Sequence, residues 1–594
     1  VGYRREYDLS GRAEQDSLLR IVFDLNRYKS HIAERISELT GISSEDILSL
    51  LETPPAEKMG DLAFPCFTLA KAEKKSPVEI ARDLATRLPG DKIIDAVSAD
   101  GPYVNFKLNR EHLIESVVSD ISYRQGDYGK SDIGDGRRIV IEYSSPNIAK
   151  PFGIGHLRST VIGAALKRVF TFLGYRVISI NHLGDWGTQF GKLLYAFKKW
   201  GDEEELQRRP IEHLYDLYVR VHQEEEKDGL VAEATRAEFR KLEEGDSVSH
   251  LLWKRFSELS KREFAKIYEM LGVEFDSDVG ESYFLEKIPE AEKRLKEASL
   301  LSQSQDATIV DLEKFGMPAM LIRKSDDTTL YASRDLAAAI YRRQKYDFEK
   351  MIYVVGVAQS LYFRQLFKVL ELMGFKWASR CHHVSFGWVK LGEEMMSTRR
   401  GNIVFLEDVI SKAVERTKRI IEENSPDLPD PDRVAVEVGV GAVVFADLAY
   451  RRETDISFEW DRILDFKGNS GPYVQYSHAR ICSVLRKYGD KPSSGCDPKL
   501  LQLPEEHSIA KMLALYPDVL RKAADEFEPY YISSFLLELC GTFNTYYQKY
   551  RSPEDRILST DPETTGSRVA LANCTRIVLR SGLNLLGLSA PEMM

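Results

Sequence analysis

The chain has 594 residues, a length that implies several domains, and hydrophobic side chains make up 43% of it, enough for sizeable cores. With 92 acidic against 82 basic side chains the formal net charge is −10, which argues against a protein that coats nucleic acid nonspecifically but leaves room for local basic patches. No apolar run is long enough to span a bilayer, and the first stretch, VGYRREYDLSGR, lacks the apolar core of a secretory signal.

In chain order, residues 1–127 read as a separate α+β unit. Helical patterns such as SLLRIVFDLNRYKSHIAERISEL precede short strand-like pieces such as YVNFKL. GDGRR at 134–138 reads as a linker. RIVIEY then gives an apolar strand, followed by the loop SSPNIAKPFGIGHLRST at 144–160 and a helix. In that helix Leu157, Val161, Ala165, Val169 and Phe172 recur every three or four residues, and Gly174 closes it. RVISIN is the next strand, completing a βαβ unit with parallel strands. Long charged helices are expected over about 190–275, with a further helical insertion over about 285–325. A second strand–helix–strand set follows: MIYVVG, LYFRQLFKVLELMGF and HHVSFGWV. Beyond about 405 the pattern is almost wholly helical. The assembly expected is an α/β Rossmann-type domain, a doubly wound parallel sheet. It is flanked by the N-terminal α+β domain and a C-terminal all-α domain.

The six cysteines are scattered, with no C-x-x-C pair, which fits free thiols in a reducing cytosol. Cys381-His382-His383 opens a stretch that reads as a buried strand rather than a metal site.

The loop at 144–160 carries the chemistry. A loop that leaves a parallel strand and opens a helix lies at the carboxyl edge of the sheet, where helix N-termini attract phosphate. Pro151 stiffens it, Gly153 and Gly155 allow close backbone approach, and Lys150 and His156 supply a cation and a hydrogen-bond donor. Taken alone, G-x-G-H reads first as a tight turn with a capping His.

The wider pattern decides. GIGH resembles the HIGH element of class I aminoacyl-tRNA synthetases, and SSPNIAKPFGIGHLRST resembles the form found in arginyl-tRNA synthetases. GDWGTQFGKL (184–193), TTLYASRDLA (328–337), YVVGVAQSLYFRQLFKVLELMGF (353–375), MMSTRRGNIVFLEDV (395–409) and GPYVQYSHAR (471–480) match in the family's order. Two positions depart: Gly153 stands for the first His of HIGH, and Met395 stands where the KMSKS element begins with Lys. The family suggests Lys150 as the substitute cation.

The resemblance implies an arginine–tRNA ligase in the cytosol. It would be a monomer that uses magnesium–ATP, L-arginine and tRNA(Arg) as substrates, with no tightly bound cofactor and no membrane. It implies a catalytic domain over 128–394, the loop and stem-contact helices over 395–465, and an anticodon-binding domain over 466–594. Lys150, His156, Arg399 and Arg400 would serve catalysis by neutralising the triphosphate. Pro151, Gly153, Gly155, His156, Gly187, Gln189, Met396 and Ser397 would hold ATP. Arginine would meet Glu142, Asn147, Glu281, Tyr331, Asp335 and Gln359, with Asn147 and Gln359 at its α-amino and carboxylate groups. Tyr331 and Asp335, four apart, would share one helix face. A guanidinium offers five donors in a plane, so its selection over an ammonium calls for carboxylates and neutral acceptors together. RNA would meet Tyr473, Tyr476, Tyr546, Tyr547 and Met594 in the last domain, and Tyr103 and Asn109 in the first. A synthetase for another amino acid would not call for the acidic pocket positions, and a silent tRNA-binding paralogue would have no use for His156, Asn147, Asp335 and Gln359.

Overall fold

The computed structural model describes residues 26–54, 59–304, 307–323, 331–391, 394–395, 404–489 and 495–594. Two compact units result: residues 1–129, 481–521 and 538–578 form one, and residues 130–480, 522–537 and 579–594 the other. The residues of the last helices, Gly471–Tyr488, Pro504–Asp525, Tyr530–Lys549 and Pro562–Leu586, are divided between the two.

In the first unit, β1 (Leu62–Pro65), β2 (Ile94–Asp100) and β3 (Tyr103–Leu108) form an antiparallel sheet in the order β1-β3-β2. The helical pattern read across 17–39 appears as the helix Asn26–Thr40, its earlier residues lying outside the described ones. Asn109 caps the helix Arg110–Arg124 by accepting the His112 N–H at 3.0 Å, as a short amide at an N-cap does. The C-terminal part of this unit holds a buried network: Arg568 and the Tyr546 hydroxyl both donate to Glu506, at 2.8 and 3.0 Å.

The second unit is built on a four-stranded sheet of β4 (Arg138–Glu142), β5 (Arg176–Ile180), β9 (Lys350–Gly356) and β10 (Cys381–Phe386), in the order β10-β9-β4-β5. Every pairing is parallel. Both faces are covered, so β4 and β9 read as near-continuous apolar runs. The crossover helix Ile154–Phe172 is buried on nearly every side, and it ends where Gly174 takes a positive φ of 84°. Gly163 lets it approach β4, since a Cβ there would lie 2.2 Å from the Tyr143 ring.

The insertion after β5 is helical, through Thr188–Trp200, Pro210–Lys227, Gly229–Glu243 and Ser247–Leu271. The one over 285–325 departs from the all-helical expectation. After the helix Ile288–Glu297 it forms a small antiparallel sheet of β6 (Leu301–Ser304), β7 (Ala307–Val310) and β8 (Met320–Arg323). GDGRR is no free linker either: the Gly134 and Gly136 amides donate to the Leu173 and Gly174 carbonyls, tying the turn to the end of the crossover helix. Residues 522–537 and 579–594 belong to this unit through contacts such as Arg452 N–H to Glu528 at 3.0 Å and Gln475 to the Ser589 carbonyl at 3.0 Å. Among the described residues no helix is long and apolar enough to cross a membrane. All six cysteines are free thiols.

Candidate active site

The chain leaves β4 for β5 on one side of the sheet and reaches β9 on the other. The loops at the carboxyl ends of β4 and β9 therefore part, and this is where an open parallel sheet offers a crevice. A cavity of about 590 Å³ lies there. Its wall includes Glu142, Asn147, Gly155, His156, Glu281, Tyr331, Asp335 and Gln359, all of them expected from the sequence. It also includes His182, Tyr362 and Phe363, which were not.

The loop after β4 is strained and heavily stapled. Ser144, Ser145 and Ala149 have φ of 69°, 50° and 58°, uncommon for residues with side chains. Hydrogen bonds to polar side chains of neighbouring segments hold that shape. The Ser144 hydroxyl lies 2.8 Å from that of Tyr268, the Ser145 N–H donates to Asn181 at 3.1 Å, and the Ala149 N–H donates to Ser260 at 2.9 Å. Asn147 bridges to Gly184, where a Cβ would fall 2.2 Å from the Asn147 Oδ1. Gln189 donates to the Gly184 carbonyl at 3.2 Å, and Gly187 takes a φ of 128° at the start of the helix Thr188–Trp200.

His156 occupies the first turn of the crossover helix. Its Nδ1 accepts the Gly153 N–H at 3.2 Å, which leaves Nε2–H as the ring's donor. Burial pushes its pKa down to about 4, and the charge of Lys150 adds to this. His156 is therefore neutral at pH 7 and offers a hydrogen bond through Nε2–H. Lys150 is half-buried and absent from the cavity wall; its ammonium sits 5.0 Å from the centre of the Tyr218 ring. Pro151 and Phe152 are buried beside it.

The segment Val389–Leu391 pairs with Glu394–Met395 and with Ile456–Ser457. Later in the chain, the Ile154 amide donates to the Val404 carbonyl and the Leu406 amide to the Phe152 carbonyl, so Val404–Leu406 is stitched to the start of the crossover helix. The residues expected on the loop itself, Met396, Ser397, Arg399 and Arg400, lie outside the described ones.

Charge in the cavity is nearly balanced from within. Glu142, at the end of β4, is ion-paired with buried Arg342. Glu281 lies 3.2 Å from Arg334; burial raises its carboxyl and the guanidinium opposes this. Asp335 is the wall carboxylate left without a guanidinium or ammonium partner among the described residues. It accepts the Tyr362 hydroxyl, and burial raises its pKa to about 6. Glu142 and Glu281 thus stand in the cavity wall already facing arginines of the chain. Their partners lie on the helix Tyr331–Tyr346 that also carries Tyr331 and Asp335.

The aromatic expectations divide. Tyr546 is 2% exposed and its hydroxyl is held by Glu506, so its ring cannot take a stacked base; this corrects its assignment to RNA contact. Tyr476 and Tyr547 are exposed, and Arg480 lies 4.9 Å from the centre of the Tyr476 ring. Tyr473 is half-buried. Tyr103 packs edge-on to Phe67 at 5.8 Å. The Asn109 oxygen is taken by its capping role, and Met594 packs against the buried cluster of Ile421, Val434, Ala435 and Val438.

A cavity at the switch point of a parallel sheet, floored by a G-x-G-H loop that opens the crossover helix, is the arrangement of a class I aminoacyl-tRNA synthetase. Residues 117–460 match the family described as tRNA synthetases class I (R), catalytic domain. Residues 26–108 match the arginyl tRNA synthetase N terminal domain, and residues 474–594 the DALR anticodon binding domain. The arginine–tRNA ligase of Halothermothrix orenii is 45% identical over 568 residues, spanning 96% of this chain and all of the relative. That of Clostridioides difficile is 46% identical over 563 residues, 95% of this chain and 98% of its own. The solved structure of the Thermus thermophilus arginyl-tRNA synthetase superposes with a TM-score of 0.80 at 26% identity, covering 95% of this chain and 98% of its own. The chain belongs to the arginyl-tRNA synthetase family.

Proposed function

We propose that the protein is an arginine–tRNA ligase that forms arginyl-adenylate from L-arginine and magnesium–ATP and then esterifies the terminal adenosine of tRNA(Arg). The observation that carries this reading is the charge left over in the cavity. Glu142 is ion-paired with Arg342 and Glu281 faces Arg334 at 3.2 Å, while Asp335 has no guanidinium or ammonium partner among the described residues and remains to meet a cation. A buried carboxylate held ionised at neutral pH is a site for a cationic side chain.

In this reading the guanidinium lies against Asp335 and Tyr331, while Asn147 and Gln359 hold the α-amino and α-carboxylate groups. Glu142 and Glu281 act through Arg342 and Arg334, which they hold buried behind the cavity wall. The substrate carboxylate attacks the α-phosphorus of ATP in line, the bond to the β-phosphate oxygen breaks, and pyrophosphate leaves with magnesium. The 2′-hydroxyl of the terminal adenosine then attacks the activated carbonyl and AMP leaves. No protein nucleophile is needed; the chain contributes position and preorganised charge. The Nε2–H of His156 donates to a phosphate oxygen, Lys150 swings from Tyr218 to the triphosphate, and Gly153, Gly155, Gly187 and Gln189 shape the nucleotide's seat. Met396, Ser397, Arg399 and Arg400, which lie outside the described residues, supply further contacts to ATP. Tyr476 and Tyr547 stack on unpaired tRNA bases, the N-terminal domain near Tyr103 reaches the tRNA body, and the protein works as a monomer.

The test uses labelled arginine, ATP and tRNA whose terminal adenosine lacks one hydroxyl. The 3′-deoxy tRNA is expected to be charged and the 2′-deoxy tRNA not. Failure to charge either, with intact tRNA also inert, would end the proposal.

A further inference from the structure

We infer that His182 is a direct contact for the substrate guanidinium, a neutral acceptor that works beside Asp335 in choosing arginine. The inference rests on reading the cavity as an arginine pocket and adds a specificity-determining residue to it. His182 follows β5 at the carboxyl edge of the sheet, lies in the cavity wall and is 9% exposed. Its Nδ1 faces the Val279 carbonyl at 3.4 Å. A carbonyl can only accept, so Nδ1 carries the hydrogen and Nε2 presents a lone pair.

That Nε2 is buried and, among the described residues, has no hydrogen-bond partner. The nearest carboxylate oxygen is Asp335 Oδ1, 3.9 Å away and itself an acceptor. The other Asp335 oxygen is fixed by the Tyr362 hydroxyl, which sets the orientation of Oδ1 toward the ring. Two acceptors, one charged and one neutral, thus lie 3.9 Å apart at the cavity wall, with no donor between them among the described residues. A buried acceptor left unpaired is costly, and such a group in a cavity wall marks where a ligand's donor belongs.

A planar guanidinium fits this pair. It brings five N–H groups, more than Asp335 Oδ1 can take, and Glu142 and Glu281 are committed to Arg342 and Arg334. An ammonium is more strongly hydrated and gains less from one neutral acceptor. Glu142, Arg342 and Arg334 all act on the His182 ring, yet burial dominates and lowers its pKa to about 4, which keeps it neutral at pH 7.

Two substitutions separate contact from packing. His182→Asn keeps a donor near the Val279 carbonyl and removes the far acceptor. His182→Gln keeps an acceptor at the far position and gives up the near donor. ATP binding first shows that each variant is folded; should H182N fail that check, His182→Leu, which keeps the apolar contact with Phe284, takes its place. In tRNA charging the acceptor-deleted variant is expected to raise the arginine KM roughly 10- to 100-fold, the scale of a lost hydrogen bond to a charged group, with the ATP KM within twofold. H182Q is expected to recover most of the loss. An unchanged arginine KM in the acceptor-deleted variant, or a loss as large in H182Q, would overturn the inference. Charging of arginine by the unaltered protein, run alongside, reads the pocket assignment separately.

Discussion

Replacing Asp335 by Asn probes the charge on which the pocket depends. Asn keeps the size and an acceptor for the Tyr362 hydroxyl, while it removes the charge and puts an amide N–H where the second oxygen stood. Burial holds the Asp335 pKa at about 6 against an ordinary 3.8, so keeping the anion costs roughly 3 kcal/mol, at about 1.4 kcal/mol per unit. A cation at the carboxylate relieves that cost and adds its own attraction. Without the charge, the substrate guanidinium is left buried and unpaired, a situation that costs about 2–5 kcal/mol, or roughly 30- to 4,000-fold in kcat/KM for arginine. The assay is tRNA charging at varied arginine and, separately, at varied ATP; the ATP KM should stay within twofold. A second readout moves the other way. The ligand-free Asn variant should melt at a higher temperature than the unaltered protein at pH 7.5, because the strained anion is gone. An arginine KM and kcat both within twofold of the unaltered protein would refute the reasoning.

Because the Asp335 pKa is raised, its ionised form is present above about pH 6 and lost below it, so arginine affinity should be level above that pH and fall about tenfold per unit below. The D335N variant should show no such break; the check is arginine KM from pH 5 to 8. Lys150→Ala should lower kcat by about 10²–10³ with a much smaller change in arginine KM, since its charge serves the phosphates. If Lys150→Ala stays active while Arg400→Ala does not, the loop supplies the cation instead. Glu506→Ala should destabilise the fold by about 3–5 kcal/mol in guanidinium denaturation, since it strands the buried Arg568 guanidinium and the Tyr546 hydroxyl; a change under about 1 kcal/mol would contradict the network.

The strands of the central sheet are legible because both faces are covered, which turns RIVIE and KMIYVVG into apolar runs. The crossover helix is legible because its apolar positions recur at helical spacing and Gly174 marks its end. The small sheet at 301–323 is not: its strands are four residues long, and β6 is almost wholly exposed, so no alternation records it. Tyr546 and Tyr547 are neighbours with opposite fates. The buried series Leu539, Phe543, Tyr546 puts the first on the packed face of its helix, whereas Tyr547 points out. The Glu142–Arg342 pair joins residues far apart in the chain, which a motif cannot express. Yet Tyr331, Asp335 and Arg342 lie at i, i+4 and i+11 on one helix, a spacing that already turns all three to one side. His182 went unread because NHLGDWG looks like a loop until β5 is known to end beside the cavity. The C-terminal boundary resists for another reason: Glu528 accepts the Arg452 N–H and Gln475 donates to the Glu437 carbonyl at 3.2 Å, so a cut after 465 removes partners of the sheet-containing unit rather than a detachable domain.

The most direct test offers bulk tRNA, ATP and each of the genetically encoded amino acids in labelled form to the full-length chain, one at a time. Arginine alone should become acid-precipitable on tRNA, dependent on ATP. Charging of any other amino acid at a comparable rate, or of none by a protein that binds ATP, would contradict the assignment of the cavity to arginine.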